Sequence, residues 1–345
     1  MTTPGQLIEV QGLKTFFKVR EGTVRAVNGV SFTLERGRTL GVVGESGCGK
    51  SVMAQSVMRL VEPAGKIVEG KINFYRSAAQ NGHEATVEVV DITSLDYRGV
   101  EIRRIRGGEI AMVFQDPMTS FSPVHTIGDQ IAEALILHQD MDKKEALERA
   151  IETLHRVGMP KPDRVVNNFP HQLSGGMRQR SMIAMALSCN PSLLIADEPT
   201  TALDVTTEAQ ILELMKELQA SLGMAIMFIT HNLGVVAEMA NEIIVMYLGK
   251  IVERADVVSL FDDPRHPYSR ALLRSIPRVD KDTGERLESI EGIVPDPYSI
   301  PQGCPFHPRC PSNIPGVCDV IEPPLVTIGA RQVYCHLYQQ DGTAR

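Results

Sequence analysis

Three short stretches hold residue types that handle phosphate. "GESGCGKS", Gly44 to Ser51, fits G-x-x-x-x-G-K-[ST] and lies between an apolar run and a helical one. Glycines 44, 47 and 49 let the backbone curl, so that N–H groups along Glu45, Ser46, Gly47, Cys48 and Gly49 turn toward phosphate oxygens. Lys50 supplies charge to the β- and γ-phosphates, and the Ser51 hydroxyl completes the shell of a magnesium ion. "LLIADEPT" ends an apolar run in two adjacent acids, a costly arrangement unless a cation or a proton transfer uses them. Asp197 is placed to hold magnesium through water, and Glu198 to polarise an attacking water as general base. In "LSGG", Ser174, Gly175 and Gly176 open a second anion-binding helix end, this one without a lysine. The chemistry implied is hydrolysis of ATP with Mg2+.

The elements around these stretches must place them. The first forty residues alternate apolar and polar in short runs, which predicts antiparallel strands. "RTLGVVGESGCGKSVMAQSVMRLV" then reads strand, Gly-rich turn, helix. A strand pair follows around "KINFY", with "RSAAQNGHEAT" as an exposed hairpin tip. From about Gly128 to Gly158 the pattern is helical. Leu147, Ile151 and Leu154 recur on one face, and Gly158 stands where a C-cap belongs. Strands "SLLIAD" and "AIMFIT" flank a further helical stretch, and no internal repeat is visible. After about Phe261 proline density rises, marking a loop-rich C-terminal appendage.

The chain has 345 residues, 43% of them hydrophobic and 22% charged, as in ordinary soluble proteins. A net charge of -7 argues against a nucleic-acid binder with a broad basic face. No apolar run approaches the length of a membrane span, and the N-terminus lacks the features of a signal peptide. A cytoplasmic, reducing compartment is expected, where clustered cysteines point to metal rather than disulfides.

The order of these motifs resembles the nucleotide-binding subunits of ABC transporters. The resemblance implies an α/β P-loop NTPase fold with three parts: a RecA-like core, an antiparallel β subdomain and an α-helical subdomain near 116–190. Together they would span 1–260, with a small cysteine-containing domain at 261–345. It implies that "LSGG" closes on the γ-phosphate held by another subunit. Gln115 in "FQDP" resembles the glutamine that touches magnesium and the attacking water, in a loop that senses the membrane partner through a groove near Gln115, Met118 and Ser120. Asp204 in "TALD" resembles the loop linking the two sites, and His231 in "ITHN" the histidine that bonds the γ-phosphate. Asn232 stands where the family commonly has Asp. Phe17 aligns with the aromatic that stacks on adenine, with Phe16 as its neighbouring alternative.

Stretches such as "HQLSGGMRQR" and "RHPYSRALLRSIP" resemble the D-type ATPase of the dipeptide/oligopeptide importer branch. That likeness implies a head-to-tail heterodimer with a second, related ATPase subunit. It further implies two transmembrane permease subunits, an external substrate-binding protein and a peripheral place on the cytoplasmic face of the inner membrane. Nickel and oligosaccharides are alternative cargoes within the branch. Soluble relatives acting on ribosomes or DNA are the rival class, but they carry two cassettes in one chain or a long coiled coil, and neither is here. Four of the six cysteines, Cys304, Cys310, Cys318 and Cys335, lie in the tail with spacing C-x5-C-x7-C-x16-C. Four thiolates suit a [4Fe–4S] cluster or tetrahedral Zn2+, with uncoordinated thiols as the third reading. The branch's own C-terminal cysteine motif implies the iron–sulfur cluster, in a structural role. His307 and His336 stand beside two of the cysteines as reserve ligands or surface residues, while Cys48 and Cys189 read as small fillers of the phosphate loop and a core helix.

Overall fold

Alternation in "LIEVQGLKTFF" and "VRAVNGVSFTL" folds as two long strands, β1 (Gln6–Val19) and β2 (Gly22–Glu35). The structure is a computed structural model that describes residues 5–78, 86–116, 120–201, 203–275 and 290–338. After β2 come β3 (Thr39–Val43), α1 (Lys50–Val57), β4 (Gly65–Ala78) and β5 (Thr86–Asp91). Then follow α2 (Val100–Arg104), β6 (Ile110–Val113), α3 (Ile127–Gln139), α4 (Lys143–Arg156) and α5 (Pro162–Val165). Next are α6 (Gly175–Leu187), β7 (Leu193–Asp197), α7 (Val205–Leu222) and β8 (Ala225–Ile229). The chain ends with α8 (Leu233–Met239), β9 (Glu242–Tyr247), β10 (Lys250–Asp256), α9 (Val257–Asp262), α10 (Pro267–Arg274), β11 (Leu325–Ile328) and β12 (Arg331–Tyr334). Two compact units result: one of Met1–Ile8, Leu34–Thr39 and Asn73–Ile229, the other of Glu9–Thr33, Leu40–Ile72 and Thr230–Arg345.

In the first unit β7 pairs in parallel with β6 on one side and β8 on the other. All five residues of β7 are buried, so the strand reads as a continuous apolar run, as parallel strands covered on both faces do. Helices α3, α4 and α6 pack on one another. The predicted helical region from 128 to 158 is two helices, because Asp140 takes a left-handed conformation (φ 53°) and ends the first. The buried stripe of α4 is Ala146, Ala150, Thr153 and Leu154, while Leu147 and Ile151 are only half-buried. Small side chains turn inward here, so a periodicity counted on large apolar residues is rotated from the true face. Gly158 (φ 66°) follows the C-cap residue Val157, as its spacing predicted. Strands β4 and β5 pair antiparallel from Asn73↔Asp91 to Ala78↔Thr86, and the expected hairpin tip falls at 79–85, outside the described residues.

In the second unit β3 pairs in parallel with β9, β9 antiparallel with β10, and β10 antiparallel with β12. The tail is therefore more than loop. "LVTIGARQVY" is a hairpin around Gly329 (φ 62°) that extends this sheet by two strands. An aromatic group anchors the tail: Tyr247, Tyr268 and Phe306 are almost fully buried, with ring centroids 4.7–5.3 Å apart.

His266 caps α10 and is 1% exposed; its Nδ1 accepts the Tyr268 N–H at 3.0 Å, which requires a neutral ring. Burial, helped by the charge of Arg270, pulls its pKa down to about 3. An unfolded histidine takes a proton below about 6.5, whereas the folded one does not until about 3. Between those values the unfolded chain binds more protons, so stability falls with falling pH by about 1.4 kcal/mol per unit. His266→Asn keeps a capping acceptor but cannot titrate, and should flatten the slope of unfolding free energy over this window. Glu253, whose carboxylate accepts the Arg265 and His266 N–H groups, is common to both proteins and drops out of the comparison. An unchanged slope would remove His266 as the cause.

Candidate functional site

The phosphate loop begins at the end of β3 and runs into α1. Gly44, Gly47 and Gly49 all have positive φ, at 151°, 77° and 103°. Gly49 is the tightest position, since a Cβ there would lie 2.0 Å from the Ala26 carbonyl oxygen on β2. At Gly44 a Cβ would lie 2.3 Å from the Met246 carbonyl oxygen on β9. The loop is thus pressed onto its own walls. Cys48 O accepts the Gly249 N–H at 2.9 Å, and Gly249 O accepts the Asn28 N–H at 2.8 Å. Lys50 is 6% exposed and curls back, its Nζ donating to Gly44 O at 2.8 Å and Glu45 O at 3.1 Å. That ammonium is thereby tied to the backbone oxygens of its own loop. Ser46 and Gly47 form an exposed tip, and Ser51 is half-buried in the first turn of α1. Two loop N–H groups are already engaged: Glu45 donates to Tyr268 Oη at 2.9 Å, and Cys48 to Glu45 O at 3.3 Å. Cys48 fills the loop's interior, 3% exposed, and burial pushes its thiol pKa up.

The other two stretches lie in the first unit. Asp197 ends β7, 5% exposed. Glu198 follows with φ 49°, a left-handed conformation that costs a non-glycine residue about 1–2 kcal/mol. Its N–H bonds Ile229 O at 2.8 Å. Its carboxylate accepts from Gln115 Nε2 and from Thr201 Oγ1, both at 3.0 Å. The structure thus brings Gln115 and Glu198 together. Backbone strain of this kind persists where surrounding bonds fix it, and here it aims the acid away from the strand direction. Met118, expected beside Gln115, is outside the described residues; Ser120 bonds back to Asp116 O.

Ser174 is the N-cap of α6, accepting the Met177 N–H at 3.3 Å, and it and Gly175 are exposed. A Cβ on Gly176 would lie 2.9 Å from Thr207 on α7. Asp204 caps α7, bonding the N–H and hydroxyl of Thr207 at 3.0 and 2.7 Å, which lowers its pKa. In the second unit His231 is exposed just before α8, and Asn232 caps that helix through Gly234 and Val235. An Asn performs this cap as well as Asp does. Phe17 lies against Gly65, on the face of β1 that buries Leu13 and Thr15, whereas Phe16 lies on the opposite face under Arg25, 5.9 Å from its guanidinium carbon.

In the tail, Cys304, Cys318 and Cys335 are buried and Cys310 is half-buried. Cys304 N–H bonds Cys318 O at 2.8 Å. Burial pushes the Cys335 thiol up to about 12 and the Cys304 thiol up to about 11, and the neighbouring thiols add to both. No group of three or more His, Cys, Asp or Glu is placed to hold a metal ion among the described residues. A ready-made site at the four expected ligands is therefore not found there. His336 is buried and His307 half-buried; each bonds a backbone carbonyl, of Ile321 and Cys304 respectively, at 2.9 Å. Cys189 is buried just past the end of α6 rather than within it.

Residues 27–201 match the family model described as ABC transporter. The chain is 48% identical over 338 residues to the oligopeptide transport ATP-binding protein AppD of Bacillus subtilis, covering 97% of this chain and 98% of the relative. The chain belongs to the ABC transporter ATP-binding family. It is an ATPase with the α/β cassette fold, and subunits of this family work with membrane permeases. No helix among the described residues is long and apolar enough to cross a membrane. Residues 252–318 match a second model, the oligopeptide/dipeptide transporter C-terminal region. The dipeptide transport ATP-binding protein DppD of Bacillus subtilis is 46% identical, with 97% of this chain and 96% of the relative covered. Among solved structures, the dimeric post-hydrolysis state of the cassette MJ0796 bound to ADP and Pi is 28% identical with a TM-score of 0.61, covering 72% of this chain and 98% of that one.

The crowding at Gly49 makes a prediction within this ABC cassette. Gly47→Ala meets open space and bears backbone strain alone, whereas Gly49→Ala adds a collision with β2. In a titration with a fluorescent ATP analogue, Gly49→Ala should lose nucleotide binding while Gly47→Ala weakens it by about tenfold or less. Equal losses would contradict the walled-loop geometry.

Proposed function

We propose that the chain is the energy-coupling ATPase subunit of a membrane importer for dipeptides and oligopeptides, with a cassette at 1–260 and a tail domain at 261–345. The observation that supports this most is the match of 252–318 to the oligopeptide/dipeptide transporter C-terminal region, together with relatives named for oligopeptide and dipeptide transport. In this reading the N–H groups of the phosphate loop and Lys50 hold the triphosphate, and Ser51, Gln115 and Asp197 hold Mg2+. Glu198 takes the proton of the attacking water, and His231 steadies the γ-phosphate. Phe17, or Phe16 beside it, stacks on adenine. The end of α6, with Ser174 and Gly175 exposed and Gly176 just behind them, faces the nucleotide of a second, related ATPase subunit in a head-to-tail pair, and Asp204 lies on the loop joining the two sites. Two permeases and an external binding protein complete an assembly at the cytoplasmic face of the inner membrane.

For Cys304, Cys310, Cys318 and Cys335 we propose a four-thiolate site filled by a [4Fe–4S] cluster, with Zn2+ as the alternative. The donor chemistry supports it: Cys304, Cys318 and Cys335 are buried and Cys310 half-buried, in a tail whose own core is small. Bound metal would deprotonate thiols that burial otherwise keeps neutral.

Glu198→Gln removes the base and leaves its hydrogen-bonding shape. Steady-state turnover of ATP should fall by about a hundredfold or more while ATP still binds. Normal turnover would sink the assignment. The chain purified without oxygen should contain about four irons and four sulfides. One zinc would make the tail a zinc-held staple, and neither metal would leave the thiols uncoordinated.

A further inference from the structure

The phosphate loop contains a carboxylate, Glu45, one residue from its start. Left free, that anion would sit within side-chain reach of Lys50 and compete with phosphate for its ammonium, besides repelling the triphosphate directly. It is not free. Arg309 of the tail takes it in a bidentate pair, Nη1 to Oε2 at 2.8 Å and Nη2 to Oε1 at 3.1 Å. The Arg309 side chain is 3% exposed. Its other donors are used as well: Nη1 to Tyr247 Oη at 3.3 Å, Nη2 to Ile290 O at 3.4 Å and Nε to Glu291 O at 3.1 Å. The guanidinium is held from several sides and has little freedom to leave Glu45. From the same direction Tyr268 Oη takes the Glu45 N–H.

We infer that Arg309 is a positioning residue of the ATP site, drawing the Glu45 carboxylate out of the phosphate loop so that Lys50 is left for the nucleotide. This rests on the reading of Gly44–Ser51 as the ATP site. Lys50 agrees with it, since its ammonium bonds the backbone oxygens of Gly44 and Glu45. The tail domain therefore reaches into nucleotide binding through one side chain. Arg309 ends the short turn His307–Arg309 and directly precedes Cys310, so whatever orders the four thiols also orders the residue that masks Glu45.

The test is a titration of Mg-ATP into the full-length chain by calorimetry, with melting temperature recorded alongside. Arg309→Gln should weaken binding by about tenfold, a common size for coupling between neighbouring groups. Adding Glu45→Gln to Arg309→Gln removes the anion and should recover binding from that tenfold loss to within about threefold of the parent. A double variant as weak as Arg309→Gln would reduce the pair to a staple between tail and loop and overturn the inference, as would normal affinity in Arg309→Gln. Should Arg309→Gln fail to fold, Glu45→Asp gives the same answer from the loop side. Its shorter carboxylate cannot meet the fork, so it should also bind about tenfold more weakly, and normal affinity would overturn the inference. Lys50→Ala is run beside them. If it binds normally, the ATP-site reading itself fails; if it loses binding while the Arg309 and Glu45 variants do not, only the positioning role fails.

Discussion

A phosphate cradle made of backbone must hold a concave shape with almost no side chains of its own. Glycines permit the required dihedrals but favour none of them, and each adds entropy to be lost on ordering. The loop from Gly44 to Lys50 gains its shape from outside. Ala26 on β2 and Met246 on β9 press against Gly49 and Gly44 at distances that exclude any side chain, and Gly249 bonds the loop at Cys48. Tyr268 and Arg309 hold Glu45. The second unit can be understood as a set of walls for these few residues, with the buried aromatics Tyr247, Tyr268 and Phe306 setting the wall on the tail side.

In the first unit the same problem is solved for a carboxylate. A β strand directs successive side chains to opposite faces, so two adjacent acids cannot both face one way in regular strand geometry. The left-handed turn at Glu198 breaks that rule, and Gln115 and Thr201 hold the side chain where the turn leaves it. Asp197, still in the strand, stays buried. One dihedral change thus takes Glu198 out of the strand's alternation while Asp197 stays in it.

Much of this was legible in the sequence because it is local. The spacing in "GESGCGKS", the acids after an apolar run and the cap-like Ser174 all follow from contacts within a few residues, and strands β7 and β8 were predictable from apolar runs. The hairpin of β11 and β12 was missed behind dense prolines, although "LVTIGARQVY" has the β-branched residues and the glycine of a turn. The face of α4 was partly misjudged, since Leu154 is buried as expected but the other buried positions are two alanines and Thr153, which hydrophobic counting underweights. Asp204 and Asn232 are helix caps as well as motif positions, a role their types allow and only geometry shows. The pairing of Arg309 with Glu45 crosses 264 positions, and nothing in either segment announces the other.

The central claim is that the backbone of Gly44–Ser51 is a preformed cradle for triphosphate. Amide hydrogen exchange of the full chain, with and without Mg-ATP, tests it at the atoms concerned. The account predicts slowed exchange in the peptide covering Gly44–Ser51 when nucleotide is bound. Unchanged exchange there, with protection arising only elsewhere, would contradict it.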